Sequence, residues 1–149
     1  MRLAGKYNLH ADEKGRLRVP SNLRDNMPSK QLYAMYSAGG CLSIVTEEEA
    51  DKLFTHFESM VTVADTKDLK AARVLMGFMG ELKEDSQGRF VVPAELKKMA
   101  EINKDVVFVG MGKKVELWDA KRFEENLSGE EYDYPHKEKF EQLGGGIIF

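Results

Sequence analysis

The chain has one cysteine, Cys41, in 149 residues. No internal disulfide can form, which fits a reducing compartment. Cysteine is among the residue types most often buried, so Cys41 is expected in the core. No basic neighbour stands close in sequence to make it a reactive thiolate. Long apolar runs are missing too. None approaches the roughly 20 residues of a membrane span. The opening stretch MRLAGKYNLHADEKGR holds no apolar signal core, so neither insertion nor export is expected. His10, His56 and His136 have no metal-ligand spacing. There is no Gly-x-Ser-x-Gly elbow and no Walker-type phosphate loop, since the glycines at 144–146 are not followed by Lys and Ser/Thr. No catalytic residue, metal, cofactor or small-molecule substrate is therefore expected.

Positive charge is in slight deficit overall, the net charge being −3. It is also uneven. Residues 1–30 carry seven basic and three acidic residues, whereas residues 119–141 carry eight acidic and four basic ones. A polyanion responds to the local field and not to the total, so the overall sign excludes little.

What the chain does have is a repeated phrase. DEKGRLRVP at Asp12–Pro20 returns as DSQGRFVVP at Asp85–Pro93, an offset of 73. Asp, Gly, Arg, Val and Pro recur in place. At the same offset Leu9 falls on Leu82, Leu23 on Leu96, Leu42 on Val115 and Ile44 on Leu117. No gap is needed between about residue 9 and residue 50. Chance gives scattered matches, not five in one nine-residue window, so the chain reads as a duplicated unit.

Both copies share one grammar. An extended segment leads to a polar turn holding Gly15 or Gly88, a residue that tolerates positive φ. A short strand follows, RLRVP or RFVVP, ended by a proline that donates no ladder hydrogen bond. The proline suits the first turn of a short helix. Two further strands, QLYAMYS–CLSIV or DVVFVGM–KVELW, read as a hairpin. Helices close the units. Thr46 and Glu49 make a capping box, with Ala50, Leu53, Phe54, Phe57 and Met60 on one apolar face. Asp119 is the equivalent cap, with Phe123 and Leu127 inward. A further helix from near Thr66 carries the stripe Leu69, Ala72, Met76 and Met79. The fold class expected is α+β, two small units sharing one core about a pseudo-two-fold axis. The boundaries expected are 1–64 for the first repeat, 65–80 for a connecting helix, 81–127 for the second repeat and 128–149 for a loosely ordered extension.

The turns are the candidate site. Lys14, Arg16 and Arg18 surround the first. Strand alternation puts Arg16 and Arg18 on one face and Leu17 and Val19 on the other. In the second copy Arg89 recurs, but Lys14 is replaced by Gln87 and Arg18 by Val91. The first turn is therefore expected to be the more basic. Arginine presents a planar fork that fits phosphate oxygens or the major-groove edge of guanine. Asp12 and Asp85, four residues before Arg16 and Arg89, equally suit an ion pair that braces the turn. The two roles are compatible, and Asp12, Gly15, Asp85 and Gly88 are assigned to shaping the turn. Trp118 is read as packing. Arg73 is left between a paired and a solvated position.

The doubled Asp-x-x-x-Arg motifs, DEKGR and DSQGR, with GRLRVP, GRFVVP, RVLMGFMGEL and VELWD, make the chain resemble the MraZ family of bacterial transcriptional regulators over about residues 1–127. That family is related to AbrB/SpoVT-like DNA-binding domains. The resemblance implies a tandem AbrB-like swapped-hairpin β-barrel with packed helices. It implies a cytoplasmic, nucleoid-associated homo-oligomer, a ring, on double-stranded DNA. Its sites would be promoter repeats of the division and cell-wall gene cluster, where it is expected to act as a repressor. Arg16 and Arg89 become the principal DNA contacts, Lys14 an accessory one, and Arg18 is added from strand alternation. The second reading is a protein-interaction module like the AbrB-fold antitoxins.

Overall fold

A computed structural model of the chain describes residues 2–61 and 66–127. The expected 128–149 extension and Met60's place on its helix lie outside what it describes. Eight strands and five helices are formed among the described residues. In chain order they are β1 (Leu3–His10), β2 (Arg16–Arg18), α1 (Ser21–Arg24), β3 (Leu32–Ser37), β4 (Cys41–Thr46), α2 (Glu47–Val61), α3 (Thr66–Gly77), β5 (Gly80–Leu82), β6 (Arg89–Val91), α4 (Ala94–Met99), β7 (Asp105–Gly112), β8 (Val115–Asp119) and α5 (Ala120–Leu127). The fold is α+β, and every strand pair is antiparallel.

Strands are exchanged between the two copies of the repeat. Six form one sheet in the order β1-β7-β8-β4-β3-β5, and β2 pairs with β6 in a separate ribbon. So β1, from the first copy, lies on β7 of the second, and β5 of the second lies on β3 of the first. The registers obey a two-fold pattern. Leu17 pairs with Phe90 in the ribbon and Ser43 with Glu116 in the sheet, and each pair joins equivalent positions of the two copies.

The closed barrel expected from the family resemblance is not found. The large sheet is open, ending at β1 and β5, and the ribbon stands apart. Chain length gives the reason. α3 ends at Gly77, three residues before β5 begins, so β5 has three residues where β1 has eight. Such a short edge strand has little ladder to offer a neighbour.

The repeat also slips where the sequence showed none. Thr46 and Asp119 are 73 apart, but their hairpin partners Leu32 and Val106 are 74 apart. The second copy gains a residue before β7 and loses one in the following turn. Ser37 and Cys41 enclose a three-residue loop, whereas Met111 donates its N–H to the Lys114 carbonyl across two residues. The corrected offset puts Leu32 and Ala34 in step with Val106 and Phe108, and all four lie in the main core.

That core lies between one face of the large sheet and the ribbon with its short helices. Leu17, Val19, Leu23, Phe90, Val92 and Leu96 meet Ile44, Leu82, Val106, Phe108 and Leu117 there. The other sheet face is covered by helices. Met35, Val45 and Ala50 pack with Leu53 and Met79 on one side. Cys41, Val107, Trp118 and Phe123 pack with Leu127 on the other. Trp118 meets Phe123 edge to face at 5.7 Å and gives its N–H to Glu116 at 3.1 Å. It is packing, as read from the sequence. Phe54 departs from expectation: it is 38% exposed, at the rim of the α2 stripe. Arg73 is exposed. The principal neighbours of α3 are α2 and β3.

Local signals act as written. Thr46 Oγ1 accepts the Glu49 N–H at 3.3 Å, and Asp119 Oδ2 accepts the Arg122 N–H at 3.3 Å, so α2 and α5 have equivalent caps. Pro20 and Pro93 sit one place earlier than expected, at the N-caps of α1 and α4 with φ near −50°. Burial pushes the Cys41 thiol up to about 12, with Glu116 adding to the rise, so it stays protonated and inert. Among the described residues no helix is long and apolar enough to cross a membrane.

Candidate nucleic-acid interface

The two turns are built alike, bond for bond. Asp12 Oδ1 accepts the N–H groups of Lys14 and Arg16 at 2.9 and 2.8 Å, and Oδ2 accepts Arg16 Nε–H at 2.6 Å. Asp85 Oδ1 accepts the N–H groups of Gln87 and Arg89 at 2.8 and 2.9 Å, and Oδ2 accepts Arg89 Nε–H at 2.8 Å. Each turn is closed through the backbone as well, Gly15 to Asp12 at 2.9 Å and Gly88 to Asp85 at 3.0 Å. Gly15 and Gly88 have φ of +76° and +79°, which a side chain would strain. Glycine bends the chain, and aspartate locks the bend.

This geometry gives aspartate and arginine different tasks. Each carboxylate is committed to its own turn. Each arginine spends one donor, Nε–H, on the brace. The four N–H donors on its terminal nitrogens have no partner among the described residues. A guanidinium fixed at its base and free at its tip is preorganised for an anion or a base edge. Both carboxylates titrate below the usual range. The largest cause in each is the backbone N–H of the following arginine, Arg16 for Asp12 and Arg89 for Asp85. A depressed carboxylate pKa stabilises the fold above the unfolded-state value and loses that contribution as pH falls through the folded-state value. Both carboxyl carbons should therefore titrate in NMR with midpoints below about 3.9, the ordinary aspartate value. Midpoints at or above that value would remove the brace.

Arg18 lies on the outward face with Arg16, as strand alternation predicts, but it also reaches the second turn. The ribbon register is Arg16 opposite Val91, Leu17 opposite Phe90 and Arg18 opposite Arg89. Leu17 and Phe90 face the core, so Arg16, Arg18, Arg89 and Val91 share the outward face. Arg18 leans over the second turn. A Cβ built on Gly88 would lie 3.6 Å from Arg18 Nε and 3.9 Å from its Cγ, while one built on Gly15 would meet nothing among the described residues within 4 Å. Arg18, Gln87 and Gly88 line one cavity of about 410 Å³, beside Arg24 and Glu84. The expected imbalance is thus smaller than the spacing along the chain suggests. Lys14 and Arg16 serve the first turn, and Arg18 joins Arg89 at the second. Crossed strands return the charge that Val91 and Gln87 remove.

All three arginines line a single open cavity of about 440 Å³ with Asp12, His10 and Leu9. His10, which has no metal-ligand spacing, is brought to the site by the fold. Its closeness to Asp12 was the available signal. Arg24 belongs elsewhere. Its Nε and a terminal nitrogen pair with Glu84 at 3.1 and 3.0 Å, and it donates to the Met27 and Ser29 carbonyls. It ties α1 to the segment before the second turn and is not offered to a partner. No group of His, Cys, Asp and Glu arranged for a metal is present among the described residues.

The class is therefore an α+β chain with a doubled Asp-x-x-x-Arg turn and a basic two-stranded ribbon facing outward. Comparison with known proteins places it further. A family profile described as "MraZ protein, putative antitoxin-like" matches residues 78–142. A protein of Treponema denticola named Transcriptional regulator MraZ is 32% identical over 142 residues, covering 95% of this chain and 97% of the relative. Proteins of the same name from Heliobacterium modesticaldum and Mycoplasmopsis pulmonis are each 35% identical, covering 80% and 83% of this chain and 82% and 83% of theirs. The chain belongs to the MraZ family.

Proposed function

We propose that the chain is a sequence-specific, double-stranded-DNA-binding transcriptional regulator. The observation that carries this reading is the outward ribbon face, where two braced arginines and Arg18 stand together above a buried Leu17–Phe90 pair. A two-stranded ribbon can enter the major groove. Arg16 and Arg89 are the principal contacts, with Lys14 and Arg18 beside them. The regulator names of the relatives support the same reading.

The finer features follow as proposals. The chain is organised as repeats 1–64 and 81–127 joined by 65–80, in an AbrB-like swapped-hairpin arrangement. It acts in the cytoplasm, on the nucleoid, as a repressor at promoter repeats of the division and cell-wall cluster. One small ribbon binds weakly, so a homo-oligomeric ring facing several boxes gains avidity through effective concentration.

The test is an anisotropy titration against the DNA upstream of its own gene, at several salt concentrations. If all four basic residues meet phosphates, log affinity should fall against log salt with a slope of roughly −3 to −4 per subunit. A flat response would show that this face is not a DNA surface. The second reading, an antitoxin-like module, draws on the wording of the family description. It predicts a protein partner whose capture depends on residues 128–149, read by pull-down with and without them.

A further inference from the structure

Val91 is the most exposed large apolar residue among those described, at 55%. A single exposed valine is unremarkable on a protein surface. Its position is not. It faces outward on β6, directly across the ribbon from Arg16. Arg89 stands two residues before it on the same strand and therefore on the same face. Val91 is thus flanked on two sides by the braced arginines. Its equivalent in the first copy is Arg18, so the ribbon face carries three cations and one apolar group.

We propose that Val91 reads the C5-methyl group of a thymine in the major groove, making the DNA element bound by one subunit asymmetric. This rests on the DNA reading above. The chemistry follows from the face itself. The arginines draw the ribbon against phosphates and guanine edges, which desolvates whatever lies between them. An apolar side chain there gains only from an apolar partner, and the thymine methyl is the one such group that base edges show in the major groove. The minor groove shows none. The two ends of the ribbon differ accordingly: the Arg16–Val91 end prefers a methyl-bearing base, and the Arg18–Arg89 end prefers a guanine or a phosphate.

The experiment selects duplexes from a randomised pool with the full-length protein, then replaces each thymine of the selected duplex in turn by deoxyuracil, which lacks only the methyl. Wild-type protein should lose about fourfold in affinity at one thymine, the value of one buried methyl at roughly 0.8 kcal/mol. In Val91→Ala the loss at that thymine should vanish while the response elsewhere is kept. Val91→Arg should bind more tightly overall and ignore the methyl. These substitutions lie on an exposed site, and thermal melts would establish that both variants are folded. An unaltered affinity at every uracil, or an equal loss in wild type and Val91→Ala, overturns the methyl contact and leaves the DNA reading standing. Failure to enrich any duplex overturns both.

Discussion

An Arg16→Ala, Arg89→Ala double variant is expected to fold and to lose roughly thirty- to twenty-five-thousand-fold in affinity for DNA, each arginine contributing about 1–3 kcal/mol. Folding should survive because the substitutions remove only the side-chain half of each brace. Asp12 and Asp85 keep two backbone N–H partners apiece, and exposed ion pairs contribute little. The loss should be specific to binding because, among the described residues, these arginines hold only their own turn aspartates, through Nε–H. Arg→Lys at both positions separates charge from shape. Lysine keeps a cation but not the fork, so the salt dependence should persist while discrimination between duplexes falls. A folded double alanine variant with unaltered affinity would sink the site assignment.

The largest effect on stability is expected from Gly110→Ala. Gly110 pairs with Gly5 where β1 crosses β7. A Cβ there would stand 2.4 Å from Ala4 N and 2.7 Å from Ala4 Cα, and these are backbone atoms that cannot swing aside. β1 would have to lift from β7. It anchors Leu3 in the core and leads straight into the first turn through the Ala11 N–H bond to the Lys104 carbonyl at 2.8 Å. Overpacking of this kind costs about 3 kcal/mol at its upper end. That is a fall of roughly 10 °C in melting temperature for a chain of this size. Gly77→Ala is the control. Gly77 ends α3 with nothing among the described residues within 4 Å of a built Cβ, and helix propensity favours the change. Equal melting temperatures for Gly110→Ala and wild type would mean that β1 is not seated as described.

The turn, its brace, both helix caps and the inward faces of the strands were legible in the sequence because each is a local signal of a few residues. The strand exchange was not, since nothing in the spelling of β1 says whether it pairs with β3 or with β7. The closeness of Arg18 to the second turn was hidden for the same reason. Arg18 is two residues from Arg16 along the chain, but the ribbon sets it across from Arg89. The one-residue slip was hidden because a gain before β7 and a loss after it cancel, leaving the offset intact on both sides. The barrel came only by resemblance, and the short β5 leaves the sheet open.

Two residue pairs sit on the axis that relates the copies, Leu17 with Phe90 and Ser43 with Glu116. In a dimer of identical chains an axial residue meets only itself. Phenylalanine would face phenylalanine in the same tight core, and glutamate would face glutamate across the sheet. A tandem chain escapes that rule. Leucine takes one side so that phenylalanine can take the other. Serine stands opposite the glutamate, with Lys114 reaching Ser43 Oγ at 3.2 Å and Glu116 at 3.3 Å. A single tandem chain is thus free of self-complementarity, and the mismatch of Arg18 and Val91 on the outward ribbon face is the same freedom expressed at its surface.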